Sequence, residues 1–211
     1  SLGAKERLAL SFRYMKDDPQ NNIRVIPPLL RKEVTLHEPY SGDYIHGYMV
    51  NAGFSENVMK WHRQHPRIPL RFFWDKWEEE PVKRVDNTLS FYQLDDVEFL
   101  RQMAGCKAYA STAGFESVCE AMYLGKPILM VPAHIEQDCN AYDAEKSGAG
   151  IISSDFNLQQ LLEFAKDYHP NRDFVYWVRG AEYTLLNLLE SDSSNYQQVL
   201  FNEMYLVEEF I

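Results

Sequence analysis

The sequence is poor in cysteine and has no long apolar run. Its 211 residues include three cysteines, Cys106, Cys119 and Cys139, and no C-x-x-C spacing. An odd number without that spacing predicts neither a disulfide framework nor a zinc site, and it favours a reducing compartment. No apolar run approaches the ~20 residues that cross a bilayer, and no secretory signal opens the chain. These absences predict a cytoplasmic protein.

Basic residues are scarce relative to acidic ones. The chain has 21 Lys and Arg against 31 Asp and Glu, which gives a net charge of -10 at pH 7. A surface that binds duplex nucleic acid needs clustered Lys and Arg, and the sequence contains no such run. We therefore expect no nucleic-acid partner.

Several well-known ligand motifs are missing. The sequence contains no G-x-G-x-x-G, no G-x-x-x-x-G-K-[ST] and no G-x-S-x-G, so dinucleotide-binding, P-loop and hydrolase interpretations lose their main support. Two acidic pairs occur, but Asp17-Asp18 precedes Pro19 in a predicted loop, and Asp95-Asp96 is typical of a helix cap. Neither pair suits a metal-bound nucleotide, so we expect no metal site.

Short apolar strands alternate with helical patterns through most of the chain. The composition, 45% hydrophobic and 14% aromatic, is that of a folded protein. Strands are predicted at residues 44–50, 69–74, 88–93, 107–111, 127–132 and 150–153. Helices are predicted at residues 55–65, 95–104, 115–124, 137–146, 158–168 and 174–189, with a further amphipathic stretch at 196–210. This alternation predicts an α/β fold, a Rossmann-like open parallel sheet of about six strands with helices on both faces, plus C-terminal helices.

The loops after the predicted strands are where ligands of such a sheet bind. The loop at 111–117 has small hydroxyl residues, then Gly114, then the start of a helix, and free N–H groups at a helix start suit a diphosphate. Glu120 lies one turn inside that helix, where its carboxylate can accept two hydrogen bonds from a vicinal diol such as ribose. The structural alternative is a tight turn, a helix cap and a surface glutamate.

A second loop, at residues 133–140, brings acceptor and amide groups to the start of the next helix. Glu136, Gln137 and Asn140 suit the hydroxyl groups of a sugar, and the alternative is a polar cap. His134 in the same loop is interpreted as a bystander rather than a base.

Residues of about 88–150 look like the C-terminal donor-binding domain of GT-B glycosyltransferases. The matching stretch is TAGFESVCEAMYLGKPILMVPAHIEQDCNAYDAEKSGAG. It resembles the plant secondary-product pattern H-C-G-W-N-S-x-x-E, then G-x-P, then D-Q-x-x-N-A. It is also similar to the bacterial enzyme that adds N-acetylglucosamine to lipid-linked peptidoglycan precursors. The positions in register are Gly114, Ser117, Glu120, Gly125, Pro127, Pro132, Gln137, Asn140 and Ala141.

The resemblance implies a role for each site residue. Glu120 is expected to hold the ribose hydroxyls, Gln93 to flank the base, and residues 51–54 to line the far side of the phosphates. The implied nucleotide- and phosphate-binding set is Asn51, Gly53, Phe54, Gln93, Thr112, Gly114, Phe115, Ser117 and Glu120. The implied donor-sugar set is Glu136, Gln137 and Asn140.

The sequence departs from the family pattern at several positions. The plant-type His is Thr112 here, the Asp of the Asp-Gln pair is Glu136, and the plant-type Trp near the base has no counterpart. The resemblance therefore implies a nucleotide-sugar donor, with UDP-sugar as the default, and an unknown acceptor. It implies no cofactor, because the nucleotide-sugar is a substrate.

The resemblance also implies that the chain holds one of two domains. Residues 1–38 are expected to be the linker and remnant of a missing N-terminal domain, 39–170 the donor-binding domain, and 171–211 helices that pack towards the missing domain. The apolar faces of these helices are expected to be exposed, to be covered by the partner in a homodimer, or to pack on the sheet, and packing on the sheet is favoured for the first helix. The catalytic base is unknown and is expected in the missing domain, so we predict that this chain binds donor without turnover.

Two alternatives stay open. One is half of a nucleotide-sugar 2-epimerase, for which Glu116 is the spare acid/base carboxylate in the expected cleft. The other is a non-catalytic domain that keeps the fold for binding a partner.

Overall fold

The computed structural model describes residues 7–76 and 80–190, and the chain divides into two units. One unit comprises residues 30–175. The other comprises, of the described residues, 7–29 and 176–190. The predicted amphipathic stretch at 196–210 lies outside the described residues.

The smaller unit contains a pair of parallel strands. β1 (Arg7–Leu10) pairs with β2 (Ile23–Ile26), and a 3₁₀ helix at Pro19–Asn21 lies between them. Within this unit the indole Nε1 of Trp177 donates a hydrogen bond to the carbonyl oxygen of Ser11 at 3.0 Å. Leu8 and Leu10 are about half exposed, so the β1 side chains are incompletely covered within the described residues.

The larger unit is built on a seven-stranded sheet, which confirms the predicted α/β fold class. Its strands are β3 (Ile45–Met49), β4 (Leu70–Trp74), β5 (Val82–Arg84), β6 (Leu89–Gln93), β7 (Ala108–Ser111), β8 (Ile128–Met130) and β9 (Gly150–Ile152). The order is β5-β6-β4-β3-β7-β8-β9, and every pair is parallel except β5 with β6. All six predicted strands are present. β5 is an additional edge strand, exposed along most of its length and without the apolar alternation that predicts strands.

The helices follow the predicted positions, and three of them differ by two residues or more. They are α1 (Ser55–Gln64), α2 (Asp96–Gly105), α3 (Phe115–Tyr123), α4 (Ile135–Lys146), α5 (Leu158–Phe164) and α6 (Arg172–Arg179). α4 begins two residues earlier than predicted, and α5 ends at Phe164 rather than at 168. The helix predicted at 174–189 is interrupted at Gly180, the residue with the lowest helix propensity after proline, and residues 181–190 are again helical.

Two of these helices end in the same backbone motif. After α3, Gly125 has φ +67, and after α4, Gly148 has φ +74. The N–H of Lys126 bonds to the carbonyl of Ala121 at 2.9 Å, and the N–H of Ala149 bonds to that of Ala144 at 3.0 Å. These six-to-one bonds satisfy carbonyls that a helix end leaves open. No helix in the described part of the chain combines the length and apolar character that a membrane span requires.

The order of the strands creates a switch point at β3. The chain builds β4 and β6 on one side of β3 and then returns to place β7, β8 and β9 on the other side. Fully buried residues on these strands, among them Ile45, Phe72, Leu89 and Leu129, form the core. In sheets of this kind the crevice for ligands lies beyond the carboxyl ends of the strands at the switch point, here β3 and β7.

Candidate functional site

A cavity of about 270 Å³ lies in the larger unit, beside the carboxyl ends of β3 and β7. Tyr48, near the end of β3, is opposite Ser111, the last residue of β7. The cavity is lined by Arg31, Tyr48, Leu94, Asp96, Phe99, Gly114, Phe115, Glu116, Ser117 and Glu120. Four of the nine predicted nucleotide-binding residues, Gly114, Phe115, Ser117 and Glu120, are among them.

The loop between β7 and α3 sets the geometry of one wall. Ala113 adopts a left-handed conformation with φ 62, which non-glycine residues rarely do. Gly114 follows in an extended conformation at the N-cap position and brings no side chain that could cap the helix. The Ser117 hydroxyl donates a hydrogen bond to the carbonyl oxygen of Gly114 at 3.2 Å. The first turn of α3 thus borders the cavity at a glycine, an arrangement that suits an anion.

Glu120, one turn further into α3, is fully buried and paired with Arg31. Arg31 Nε donates to Glu120 Oε1 at 2.6 Å, and Arg31 Nη2 donates to Oε2 at 2.9 Å. Burial raises the pKa of Glu120, while the two bonds from Arg31 oppose that rise and favour the ionised carboxylate. The same bonds raise the pKa of Arg31 above its ordinary value. The pair is therefore a bidentate ion pair at the base of the cavity.

Two more carboxylates surround the Arg31 guanidinium. Its Nη1 lies 3.0 Å from Asp96 Oδ1, and its Nε lies 3.6 Å from Glu116 Oε1. Asp96 and Glu116 are both exposed, in contrast to Glu120. Among residues 7–76 and 80–190, no group of three or more His, Cys, Asp or Glu side chains is placed to hold a metal ion.

Arg31 reaches the cavity from a segment that is anchored independently of it. It precedes a 3₁₀ helix at Lys32–Leu36, which packs against α2. Val34 in this helix is fully buried. Because the segment is anchored at Val34, the Arg31 backbone is held in place while 26% of its side chain stays exposed.

The other predicted nucleotide-binding residues do not line this cavity. Thr112 is buried, and its hydroxyl accepts a hydrogen bond from the Val50 backbone N–H at 3.3 Å. Asn51 is exposed, and its Oδ1 accepts from the Gly53 N–H at 2.8 Å. The ring of Phe54 packs edge-on against a core phenylalanine. Gln93 ends β6, two strands away from β3. These residues share the carboxyl edge of the sheet with the cavity but lie outside its lining.

The predicted donor-sugar residues begin α4, which follows β8, the strand beside β7. Gln137 is buried, and its Oε1 accepts a hydrogen bond from the Ala133 N–H at 2.8 Å. Glu136 is exposed and Asn140 is half buried. The structure thus places these three residues on one helix start at the same sheet edge, but not in the lining of the 270 Å³ cavity.

Sequence reasoning missed five of the cavity residues. Arg31 is separated from Glu120 by 89 positions, so no local pattern relates them. Tyr48 and Asp96 did carry signals: Tyr48 is near the carboxyl end of a predicted strand, and Asp96 follows Asp95, which caps α2 by accepting from the Glu98 N–H at 2.8 Å. Leu94 and Phe99 complete the missed set.

Comparison with known proteins places the chain among glycosyltransferases. The sequence profile described as "Glycosyl transferase family 1" matches residues 3–168. A protein of Caenorhabditis elegans named as a UDP-glucuronosyltransferase, ugt-48, is 26% identical over 105 residues, which cover 49% of this chain and 20% of the worm protein.

Solved structures share the fold at low sequence identity. The calicheamicin glycosyltransferase CalG4 is 14% identical with a TM-score of 0.58 over 81% of this chain and 48% of its own. The glycotransferase of kitacinnamycin is 13% identical, with a TM-score of 0.57 over 82% and 49%. UGT89C1 of Arabidopsis thaliana, solved with quercetin, is 15% identical with a TM-score of 0.54 over 80% and 50%. This chain therefore spans about half the length of these structures.

Proposed function

This chain belongs to glycosyl transferase family 1, and from that premise we propose that it is the donor-binding half of a glycosyltransferase. The whole enzyme would move a sugar from a nucleotide-sugar, by default a UDP-sugar, to an acceptor. The observation that carries this proposal is the placement of Glu120. A buried carboxylate lies at the base of the cavity, one turn below an N-cap glycine, at the switch point of the sheet.

The cavity offers complementary groups to the parts of a nucleoside diphosphate. The Glu120 carboxylate would accept hydrogen bonds from the two ribose hydroxyls. The backbone around Gly114 would receive the diphosphate, where the helix start favours negative charge. The Ser117 hydroxyl would turn from the Gly114 carbonyl to donate to it. Tyr48 and Leu94 line the same cavity and offer apolar surface to the base, with Gln93 at the end of β6 nearby in sequence.

The donor sugar would lie towards the start of α4. Glu136, Gln137 and Asn140 begin this helix, and the preceding strand is the direct neighbour of β7. Since the carboxyl ends of adjacent parallel strands meet at one edge, a sugar attached to a diphosphate at α3 would extend towards these side chains. The amide oxygen of Gln137 already accepts from Ala133, which leaves its amide nitrogen to donate to a sugar hydroxyl.

Sugar transfer needs stabilisation of the departing diphosphate and a base for the acceptor hydroxyl. The start of α3 would supply the first. We propose that the base comes from a second domain, because the chain spans only about half of the related structures. This chain alone would then bind donor without turning it over.

Calorimetric titration with UDP, GDP and dTDP tests the proposal. We expect saturable UDP binding that Glu120→Gln weakens by about 1.5–3 kcal/mol, the range for a hydrogen bond to a charged group. Glu163→Gln is the matched control, since that exposed carboxylate on α5 pairs with Lys166 away from the cavity. Equal UDP affinity in the parent chain and in Glu120→Gln would refute the ribose role.

A further inference from the structure

The carboxylate that would hold the donor ribose is already occupied by a side chain of the same protein. Both oxygens of Glu120 accept a hydrogen bond from the Arg31 guanidinium, at 2.6 and 2.9 Å. Only 1% of the Glu120 side chain is exposed, although it lines the cavity. A vicinal diol would need the same two oxygens.

We propose that Arg31 is a gate on the donor site, which competes with the ribose for Glu120 and must leave it before a nucleotide binds fully. This gating role rests on the proposed function, because it assumes that Glu120 receives the ribose. In the closed state the Arg31 guanidinium occupies the two Glu120 oxygens that the diol hydroxyls would use, and it leaves room in the cavity for the sugar ring. In the open state the guanidinium has moved off Glu120 and the two diol hydroxyls replace its two N–H donors.

The surroundings of Arg31 provide a place for the displaced guanidinium. Asp96 lies 3.0 Å from Nη1 and Glu116 lies 3.6 Å from Nε, and both carboxylates are mostly exposed. Arg31 can therefore give up Glu120 and keep a carboxylate partner. Its backbone need not move, since the adjoining helix is anchored by the buried Val34. The exchange requires only rotation of a long side chain.

The charges around Arg31 favour a gate over a direct attraction between Arg31 and the nucleotide. One guanidinium faces three carboxylates, so the cavity carries net negative charge around Arg31 while the gate is closed. All three of the guanidinium nitrogens that these contacts involve, Nε, Nη1 and Nη2, face a carboxylate. A ligand gains access to Glu120 by supplying two hydroxyl donors in place of two N–H donors.

The size of the effect follows from the population of the closed state. If the binding-competent state is populated about one tenth of the time, the apparent affinity falls about tenfold. Arg31→Ala removes the gate, so UDP should bind about tenfold more tightly. 2′,3′-Dideoxy-UDP has no diol and does not compete with Arg31 for Glu120, so its affinity should be unchanged by the same substitution.

The experiment is a calorimetric titration of the 211-residue chain and its variants with UDP and with 2′,3′-dideoxy-UDP. Arg31→Lys keeps the positive charge but cannot form two parallel bonds, so its UDP affinity should lie between those of the parent and Arg31→Ala. Arg101→Ala is the control. Arg101 makes a similar bidentate pair with Glu98 on α2, at 2.8 and 2.6 Å, outside the cavity lining. Its loss should leave UDP affinity unchanged.

The outcomes separate the gate from the proposed function. Weaker UDP binding in Arg31→Ala that Arg31→Lys restores would overturn the gate, because Arg31 would then attract the nucleotide directly, while Glu120-dependent binding would still stand. An equal gain for UDP and dideoxy-UDP in Arg31→Ala would also overturn it, since the effect would not involve the diol. If neither the parent nor any Arg31 variant bound UDP, the proposed function itself would fail.

A second measurement needs no loss of the ion pair by mutation. In a ¹⁵N spectrum of the parent chain, the Arg31 Nε–H signal is assigned by its absence in Arg31→Lys. We expect UDP to shift this signal and to speed its exchange with water, and dideoxy-UDP to leave it unchanged. An Arg31 signal that stays protected when UDP is saturating would contradict the gate.

Discussion

His46 shows how burial sets the chemistry of one side chain. It is fully buried on β3, with ring centroids 5.3 Å from Phe73, 4.7 Å from Phe99 and 5.3 Å from Tyr109. Burial lowers the pKa of His46 from its ordinary value of 6.5 to about 3. Between pH 3 and pH 6.5, His46 therefore binds a proton in the unfolded chain but not in the folded chain. Folding stability from this residue is present above pH 6.5 and is lost as the pH falls towards 3.

This lowered pKa predicts an acid sensitivity that one substitution removes. For a group with these two pKa values, the free energy of unfolding falls by about 2 kcal/mol between pH 7 and pH 5. His46→Phe should thus lose about 2 kcal/mol less of its unfolding free energy over that range than the parent does. Urea unfolding at the two pH values measures the difference, in which the other titrating groups cancel. Identical pH dependence in parent and variant would show that His46 does not titrate in this way.

A substitution at Gly114 should affect ligand binding more than folding. A methyl group at this position would meet Ser117 Oγ at 3.7 Å, which is ordinary contact, and the backbone is in a region open to any residue. Gly114→Ala should therefore cost less than ~1 kcal/mol of unfolding free energy, the small loss expected at an N-cap. It should weaken UDP binding about tenfold, or ~1.4 kcal/mol, by filling the approach to the helix start. Unchanged UDP affinity in a folded Gly114→Ala chain would remove Gly114 from the phosphate site.

Residue chemistry also explains which parts of the site could be predicted. Gly114, Ser117 and Glu120 could be predicted because they lie close together in sequence on one strand–loop–helix unit. Arg31 could not be inferred, because its contact with Glu120 depends on how a segment 89 positions away crosses the end of the sheet. The role of Thr112 at the phosphates stays a prediction: in the structure its hydroxyl accepts a hydrogen bond from the Val50 N–H, which leaves its own proton to donate.

At the scale of elements, the ends of α3 and α4 depend on glycine. Gly148 has φ +74, and a Cβ there would meet nothing within 4 Å. Gly148→Ala should therefore cost about 1 kcal/mol, from the left-handed conformation alone. Gly125→Ala should cost more, since a Cβ there would also lie 3.1 Å from Pro170. Gly180→Ala is the control, because Gly180 does not have a positive φ, and thermal unfolding of the three variants would rank them. Equal stability of all three variants would contradict the requirement for glycine at the ends of α3 and α4.

The elements that were predicted correctly are those with a clear period. The strands from β3 to β9 other than β5 are short, apolar and bounded by turn residues, so their positions follow from the pattern. β5 is short and exposed and has no such pattern, so only its pairing with β6 in the folded sheet defines it. The break at Gly180 was missed because the apolar spacing continues on both sides of it, although glycine itself weakens a helix.

At the scale of the whole molecule, the chain spans about half the length of its structural relatives. The domain boundaries predicted at residues 38 and 170 remain a prediction, and the structure divides the chain near residues 30 and 175. The parallel pair β1–β2 is small, and such pairs usually belong to larger covered sheets. This is what we expect if the smaller unit is completed by a second domain.

A chain of this kind should bind donor and fail to consume it. Incubated with UDP-glucose or UDP-N-acetylglucosamine and a mixture of hydroxyl acceptors, the chain should release no UDP above the rate without protein. A second incubation, without any acceptor, tests the 2-epimerase alternative. An epimerase would convert the UDP-sugar into its epimer, which chromatography of the sugar would detect. Chain-dependent release of UDP, absent in Glu120→Gln, would show that no second domain is needed for turnover.

The most direct test of the central claim is a crystal structure of this chain with UDP. We predict that the nucleotide occupies the 270 Å³ cavity, with both ribose hydroxyls on the Glu120 carboxylate, the diphosphate at Gly114 and Ser117, and Arg31 turned away from Glu120. UDP bound elsewhere on the chain, with Glu120 still paired to Arg31, would contradict the claim that this is the donor site.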